Sequence, residues 1–322
     1  MKIKNIVGLL LLTAISTNLS SCSSEEDDTI INQETVNLTL EKDALNIPVG
    51  KSEEIKISKG NGDYKAFSLN PEIADIKIES GKILVEGKSN GKTTIFVSDQ
   101  NNQFVKVAIS SYYESITTNQ EAMNIKMPIG NVKSATLTIT AGNEGYTVTT
   151  DNNEIMSVSV SGNKIMIIGR KEGTGNITIK DALDLTKVVN VTITTTDIPY
   201  EESELNAIKE NDAIRYSLLE RVANNDDIDQ NEFYNSIKNN VNLYGFNYYD
   251  WEYLKIYFSG DKTVGVKADS KLTCNWNNVT FNDQPIKFEI IKNDGKKIWA
   301  VYSCLKEGRL YYGYFCQNIN AE

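Results

Sequence analysis

The 322-residue sequence contains no histidine, and this absence narrows the chemistry open to the protein. Ser-His-Asp and Cys-His catalysis, as usually built, both need an imidazole, and histidine is also the commonest ligand of transition metals. We therefore predict a non-enzymatic protein without a metal or other cofactor. The less favoured alternative is a hydrolase that relies on carboxylates such as Asp250 and Glu252.

Positive charge and long apolar runs are also scarce. The 33 Lys and Arg residues are outnumbered by 43 Asp and Glu residues, and the net charge of −10 argues against a nucleic-acid partner. Beyond residue 22, no segment approaches the roughly 20 apolar residues that a membrane-spanning helix needs. Only 5 prolines are present, whereas Asn, Thr, Ile, Val and Tyr are abundant, which is typical of sheets joined by polar turns.

The first residues have the three parts of a secretory signal: two lysines, an apolar run from Ile6 to Ile15, and small or polar residues up to Ser21. Leu19-Ser20-Ser21-Cys22 then resembles a lipobox, although this motif prefers Ala or Gly at the position of Ser21. The resemblance implies removal of residues 1–21 as a signal peptide and attachment to a membrane through a lipid on Cys22. The alternative is an ordinary secretory signal with a chance cysteine.

An acidic run, Glu25-Glu26-Asp27-Asp28, follows the cysteine. It resembles the export signal of Bacteroidota lipoproteins, which implies a lipid-anchored position on the outer membrane, exposed at the cell surface. The alternative is a solvated tether without an address. In either case residues 22–35 are predicted to form an acidic tether, and loss of Lys2 and Lys4 with the signal takes the net charge from −10 to −12.

An internal repeat is the most informative feature after this N-terminal segment. Gly60-Asn61-Gly62-Asp63-Tyr64 recurs as Gly142-Asn143-Glu144-Gly145-Tyr146, an offset of 82 residues. The same offset relates later positions: Ile83 and Ile165, Val85 and Ile167, Gly91 and Gly173, Ile95 and Ile177, Val97 and Ile179, Asp99 and Asp181. This register predicts two copies of one domain, at 36–114 and 115–196.

Each copy consists of short apolar or alternating segments with turn residues about every 8–12 positions, which predicts an antiparallel β-sandwich. Asn70-Pro71-Glu72-Ile73-Ala74-Asp75-Ile76 in the first copy resembles bacterial Ig-like domains of the BIG2 type. The second copy keeps Asn152-Asn153-Glu154-Ile155 without the proline and alanine. The resemblance implies stalk or adhesive modules. For Asp63, Asp99 and Asp181, turn capping is favoured over calcium binding, because calcium takes about 6–8 oxygen ligands.

Composition changes after Thr196, and residues 197–322 are predicted to form a small α+β domain, with two helices against an antiparallel sheet. Apolar residues at every fourth position within 201–223 predict the first helix. A capping box at Asp229 and Glu232, followed by Phe233, Ile237 and Val241, predicts the second. Strands are predicted from Trp251 onward, with a final hairpin around Glu307-Gly308. The predicted fold is therefore mostly β.

Aromatic residues are concentrated between positions 244 and 257: Tyr244, Phe246, Tyr248, Tyr249, Trp251, Tyr253 and Tyr257. Most rings in such a cluster are expected to belong to the core of a sheet. Strand alternation places Trp251, Tyr253, Lys255 and Tyr257 on one face, which is the better candidate for exposure. We therefore predict Trp251, Tyr253 and Tyr257 as candidate binding residues for a glycan.

The cysteines after the tether are odd in number, so at most one pair can form within the chain. If Glu307-Gly308 is a two-residue turn, Cys304 faces Tyr311 and Cys316 faces Trp299. The two cysteines then lie on opposite faces of the sheet and cannot bond to each other. A bond from Cys274 to one of them stays open. A thiol nucleophile would need a neighbouring base, so we predict structural cysteines.

These observations together predict a cell-surface lipoprotein in which Ig-like spacer domains present the C-terminal domain to a glycan or protein partner. The alternative is an envelope structural or assembly scaffold.

Overall fold

The computed structural model describes residues 36–224, 226–228, 232–248 and 251–319. The signal peptide, Cys22, the acidic tether, Asp229, Tyr249 and Asp250 lie outside the described residues. Among the described residues, no helix has the length and apolar character needed to cross a bilayer.

The first copy of the repeat is a sandwich of two four-stranded sheets. Its strands are β1 (Thr39–Leu40), β2 (Ala44–Pro48), β3 (Ser52–Lys59), β4 (Lys65–Ser68), β5 (Ala74–Glu79), β6 (Lys82–Gly87), β7 (Gly91–Ser98) and β8 (Phe104–Tyr112). One sheet has the order β1-β3-β6-β5 and the other β2-β8-β7-β4, with β2 parallel to β8. Apart from this added strand, the division is the ABED and CFG division of an Ig-like domain.

The second copy repeats this architecture. Its strands are β9 (Thr117–Thr118), β10 (Ala122–Pro128), β11 (Lys133–Ala141), β12 (Thr147–Thr150), β13 (Met156–Ser161), β14 (Lys164–Gly169), β15 (Gly173–Lys180) and β16 (Thr186–Thr196). The sheets have the orders β13-β14-β11-β9 and β10-β16-β15-β12. Strands β12 to β15 lie 82 residues after β4 to β7. The prediction of two tandem Ig-like sandwiches is confirmed.

The repeated apolar positions form the two cores. Ile83 and Val85 are fully buried in the first sandwich, and Ile165 and Ile167 are fully buried in the second. The intervening residues of these strands are more exposed, as alternation requires. The repeat is therefore a repeat of packing positions.

The Gly-Asn turn is explained by its tyrosine. A Cβ atom on Gly60 would lie 2.7 Å from the ring of Tyr64, and one on Gly142 would lie 2.7 Å from the hydroxyl of Tyr146. Both tyrosines pack against the core of their own sandwich. Glycine is thus needed at the start of the motif because the ring occupies the space of a side chain.

The spacing between Asn and Asp that the two copies share also has a structural cause. Asp99 accepts hydrogen bonds from the backbone N–H of Asn61 (3.2 Å), from the Asn61 side-chain amide (2.6 Å), and from the N–H groups of Asn101 (3.0 Å) and Gln103 (3.1 Å). In the second copy Asp181 accepts the corresponding four bonds, from Asn143, Leu183 and Leu185. Turn capping by Asp99 and Asp181 is confirmed. We call each Asn–Asp pair a clasp.

Each clasp also holds the chain that enters its sandwich. The N–H of Val36 donates to the amide oxygen of Asn61 (3.2 Å), and the Asn61 amide donates to the carbonyl of Val36 (2.7 Å). Asn143 makes the same two bonds with Tyr113, at 2.8 and 2.9 Å. Tyr113 directly follows the last strand of the first sandwich, so the second clasp fixes the connection between the copies.

The C-terminal region is a third sandwich rather than an α+β domain with two helices. It contains α1 (Glu202–Glu210), β17 (Arg215–Leu218), β18 (Arg221–Asn224), β19 (Phe233–Lys238), β20 (Val241–Tyr248), β21 (Glu252–Ser259), β22 (Gly265–Val266), β23 (Lys271–Trp276), β24 (Val279–Pro285), β25 (Lys287–Asn293), β26 (Lys297–Lys306) and β27 (Arg309–Asn318). A six-stranded sheet, β18-β17-β27-β26-β25-β22, faces a five-stranded sheet, β19-β20-β21-β23-β24.

Both predicted helices were largely wrong. The first ends at Glu210, and the remainder of 201–223 forms β17 and part of β18; the second is the hairpin of β19 and β20. A spacing of four fits a strand as well as a helix, because four is a multiple of the strand period of two. The hairpin turn, Asn239-Asn240, has positive φ at both residues (52° and 63°), as a type I′ turn requires.

Helix α1 covers the outer face of the six-stranded sheet. Ile208 packs there with Trp299 and Cys316. Arg215, which is 5% exposed, donates to the carbonyls of Ile208 (2.9 Å), Asn211 (2.7 Å) and Ala213 (3.0 Å). This cation satisfies carbonyl groups at the C-terminal end of the helix, where positive charge is favourable.

The second and third sandwiches touch through two turns. The N–H of Leu310 donates to the carbonyl of Ile129 (2.8 Å), and the side chain of Asn131 donates to the carbonyl of Leu310 (2.8 Å). Arg309 Nε donates to Asn131 Oδ1 (3.0 Å). A Cβ on Gly130 would lie 2.7 Å from the carbonyl oxygen of Gly308, so the two turns are closely packed.

Removal of the second clasp should loosen the second sandwich. We expect Asn143→Ala to lower its opening free energy by about 3 kcal/mol, because the buried carboxylate of Asp181 and the backbone of Tyr113 lose hydrogen-bonding partners. Hydrogen–deuterium exchange of peptides from β10 and β16 measures this change. Asn153→Ala, at an exposed position of the same sandwich, is the control and should leave exchange unchanged. Equal protection in both variants would contradict the role of the clasp.

Candidate functional site

The candidate site is the outer face of the five-stranded sheet in the third sandwich. Leu254, Ile256 and Phe258 of β21 are fully buried toward the six-stranded sheet. Tyr253 and Tyr257 therefore point outward and are partly exposed. The predicted assignment of the odd-numbered positions to the exposed face is confirmed. Trp251, immediately before the strand, is 65% exposed.

The aromatic cluster divides between core and surface. Tyr244 is fully buried and stacks on Phe258 and Phe315, with ring centroids 5.9 and 5.4 Å away. Phe246 meets Trp276 edge to face at 5.0 Å. These two rings belong to the core, but the expectation that most of the cluster lies there was wrong: Trp251, Tyr253 and Tyr257 lie at the surface. The outward rings form a separate group.

Strand β19 contributes a further tyrosine to the outer face. Tyr234 of β19 pairs with Gly245, which pairs with Lys255 of β21. The Nζ atom of Lys255 lies 4.9 Å from the ring centroid of Tyr234 and 5.3 Å from that of Tyr253. We call Tyr234, Tyr253, Lys255 and Tyr257, together with Trp251, the tyrosine–lysine face. Sequence reasoning missed Tyr234, because it lay in a segment predicted to be helical.

Gly245 shapes the middle of this face. Its φ is +153°, and a Cβ there would lie 1.9 Å from the carbonyl oxygen of Leu254. No residue with a side chain fits this backbone position. Because glycine leaves this position without a side chain, Lys255 can extend across it to the ring of Tyr234.

The charge at the centre of the face is positive. Among the described residues, no carboxylate forms an ion pair with Lys255. Thr273 of β23 pairs across from Lys255, and its hydroxyl donates a hydrogen bond to Asp283 of β24 (3.3 Å). The exposed Lys271 pairs across from Tyr257 and adds a second positive charge. A cationic, aromatic surface thus occurs in a chain that is acidic overall.

The position of Trp251 is supported by its neighbours. Asn275 of β23 donates a hydrogen bond from its side-chain amide to the carbonyl of Trp251 (2.7 Å), and Thr280 of β24 donates to Asn275 Oδ1 (3.1 Å). This chain of bonds links the backbone at Trp251 to two further strands of the sheet.

Of the two carboxylates proposed for hydrolysis, Glu252 lies within the described residues. Asp250 lies outside the described residues. Glu252 forms a two-pronged ion pair with Arg221, with distances of 2.8 and 3.1 Å. It lines a separate cavity of about 480 Å³ beside Tyr248 and Trp276.

The described residues also contain no group of three or more His, Cys, Asp or Glu side chains arranged to hold a metal ion.

The three described cysteines are free and buried. Cys304 faces Tyr311 and Cys316 faces Trp299, as predicted. Cys304 packs in the core between the sheets and Cys316 under the helix, which confirms that they occupy opposite faces. Burial raises the pKa of Cys274 to about 12, and that of Cys304 and Cys316 to about 11. These thiols are suited to packing rather than to nucleophilic attack.

Comparison with known proteins identifies a family match for the first sandwich. The model of a family described as "Pilus formation protein N terminal region" matches residues 41–110. No curated protein matches the sequence. The resemblance to BIG2-type domains stays a prediction.

Solved structures with similar architecture are distant. Domains 4–9 of the surface layer protein SbsC are 16% identical, over 88% of this chain and 43% of that chain, with a TM-score of 0.24. The C-terminal fragment of intimin, in complex with the intimin-binding domain of Tir, is 15% identical over 49% of this chain and 64% of that chain (TM-score 0.27). The four N-terminal Ig domains of Dscam1 are 10% identical over 51% and 46% (TM-score 0.33). The Ig-like assignment therefore rests on the strand order of the chain itself.

The buried thiols should be inert in the folded protein. We expect iodoacetamide at pH 8 to leave Cys274, Cys304 and Cys316 unmodified, because burial both blocks access and keeps the thiols protonated. All three should be alkylated after unfolding in guanidinium chloride, as measured by mass spectrometry. Rapid alkylation of one cysteine in the native protein would reveal an accessible, activated thiol and reopen the nucleophile hypothesis.

Proposed function

We propose that the protein is a non-enzymatic lipoprotein of the cell surface that binds a glycan through the tyrosine–lysine face. In this proposal Cys22 carries the lipid anchor and residues 22–35 form the tether. The sandwiches at 36–114 and 115–196 act as spacers, and residues 197–322 form the binding domain. The observation that supports binding is the outward, partly exposed set of aromatic rings around Lys255.

The shape of the face suits a sugar. Sugar rings present flat, weakly polarised C–H surfaces that pack on aromatic rings, while their hydroxyl groups stay hydrated at the edges. Tyr253 and Tyr257 provide such rings on the outer face of the sheet, and the exposed Trp251 stands beside them, just before β21. Lys255, a point charge held between two rings, favours sugars that carry a carboxylate or sulfate.

The spacer role is supported by the connections between the sandwiches. The clasp at Tyr113 fixes the first connection by two hydrogen bonds. The turns at Gly130 and Gly308 fix the second by direct packing. Such junctions hold a binding domain at a distance from the membrane in a defined orientation.

The second candidate is a structural or assembly protein of the envelope. The match of residues 41–110 to a region of pilus formation proteins favours it. In this role the sandwiches would contact neighbouring proteins of an assembly, and the outer face would bind a protein.

Substitution of Trp251 should weaken glycan binding without lowering the stability of the fold. We expect Trp251→Ala in the full mature chain to weaken binding to an acidic-glycan array by about tenfold, the loss typical of a contacting aromatic ring. The melting temperature should stay unchanged, because the ring is 65% exposed. Val266→Ala, at a residue that is 76% exposed in the other sheet, is the matched control. A lower melting temperature with unchanged binding would place Trp251 in a structural role.

The anchor can be tested in cells. In membranes washed with alkaline carbonate, which removes proteins held only by surface contacts, Cys22→Ala should move the protein from the membrane fraction to the soluble fraction, because the acyl chains would be lost. Added protease should cleave the wild-type chain on intact cells if it faces outward. Continued membrane attachment of the variant would contradict the lipid assignment, and protection of the wild-type chain until lysis would contradict surface display.

A further inference from the structure

The first sandwich carries a second aromatic surface, far along the chain from the tyrosine–lysine face. On the outer side of the sheet β2-β8-β7-β4, Phe67 is 57% exposed, Leu69 is 62% exposed and Phe104 is 65% exposed. Phe96 stacks on Phe67, with centroids 5.2 Å apart and planes inclined by 7°. We call these four residues the phenylalanine patch. A monomeric protein that exposes a contiguous apolar patch usually uses it for contact.

The second sandwich shows that the fold itself does not require this patch. At the offset of 82, the positions of Phe67, Phe96 and Phe104 are occupied by Thr149, Thr178 and Thr186, and that of Leu69 by Asp151. The strands concerned keep the same order and pairing in both copies. Because polar residues occupy these positions in the second copy, formation of the fold does not account for the aromatic residues of the first copy.

The patch lies at the end of the sandwich where the chain enters. Phe104 pairs with Ser98, which directly precedes the clasp residue Asp99. Phe67 is three residues beyond Tyr64, whose turn contains Asn61, the partner of Val36. Only 14 positions separate Val36 from Cys22, a distance of about 50 Å at full extension. An anchored chain therefore keeps this end of the first sandwich near the membrane.

The charges around the patch fit a membrane surface. Lys106 extends over Phe96, with Nζ 5.4 Å from the ring centroid. Lys65 pairs across from Ser98 on the same face and is exposed. Aromatic and leucine side chains flanked by lysine are the combination that binds at the boundary between lipid headgroups and acyl chains. The lysines complement anionic headgroups.

We propose that the phenylalanine patch rests on the lipid surface and orients the first sandwich against the membrane. The proposal rests on the proposed anchor at Cys22, which supplies attachment, whereas the patch supplies orientation. Phe67, Phe104 and Leu69 enter the interfacial layer, and Lys65 and Lys106 lie at the level of the headgroups.

The test uses the full mature chain with Cys22→Ala, so that binding through the lipid cannot contribute. Flotation with vesicles of phosphatidylethanolamine and phosphatidylglycerol should recover the protein with the vesicles. The double variant Phe67→Ser/Phe104→Ser should lower the bound fraction by about tenfold, because the inserted apolar area is lost. Val188→Ser is the matched control: this residue is 58% exposed on the same sheet of the second copy and should leave binding unchanged.

Three results would overturn the proposal. The first is absence of vesicle binding by the parent protein, and the second is equal binding by the double variant. The third is dimerisation of the parent in sedimentation experiments that Phe67→Ser/Phe104→Ser abolishes, which would assign the patch to a second copy of the chain. Failure of the anchor itself appears separately, as unchanged fractionation of Cys22→Ala in cells, and does not affect the vesicle readout.

Discussion

The two Ig-like sandwiches depend on two buried carboxylates that have no ion-pair partner among the described residues. Asp99 and Asp181 are each 4% exposed. Burial alone raises the pKa of Asp99, but hydrogen bonds from Asn61, Gln103 and Asn101 outweigh it, and the pKa lies below its usual value. For Asp99 the charged form is thus the one that the fold selects. Because Asn143 also binds Tyr113, Asp181 joins a hairpin loop, a turn and the connection between the first two sandwiches, whereas Asp99 acts through Asn61 on the chain that enters the first sandwich.

Hydrophobic periodicity and turn residues predicted most of the fold. They failed where the spacing of apolar residues is compatible with both the helix period and the strand period. The offset of 82 located two cores, because buried positions tolerate few residue types. The glutamate and glycine at 307–308 predicted the final hairpin and the faces of its cysteines. In contrast, apolar residues at every fourth position in 201–223 fit either period. Leu219 and Glu220 have positive φ (49° and 69°), although neither residue is typical of such a turn, so nothing local indicated the second strand.

The candidate site was predictable in part for a related reason. Alternation in β21 identified which tyrosines share a face, because the period of a strand is fixed by its backbone. It could not identify Tyr234, which reaches Lys255 only through the pairing of three strands. Gly245 was equally hidden, since its role depends on the carbonyl of Leu254 in the next strand. Contacts across strands follow from register, and register is decided by the whole sheet.

The parallel strand pair in each of the first two sandwiches has a mechanical consequence. A load applied to the C-terminal domain of an anchored chain would pull the first and last long strands of each sandwich in opposite directions. Their hydrogen bonds would then be sheared together instead of breaking one after another. The pair in the second sandwich aligns Ala122–Pro128 with Asn190–Thr196, seven residues against five in the first, where Ala44–Pro48 aligns with Ala108–Tyr112. In an anchored chain under tension, the first sandwich would therefore be the weaker of the two.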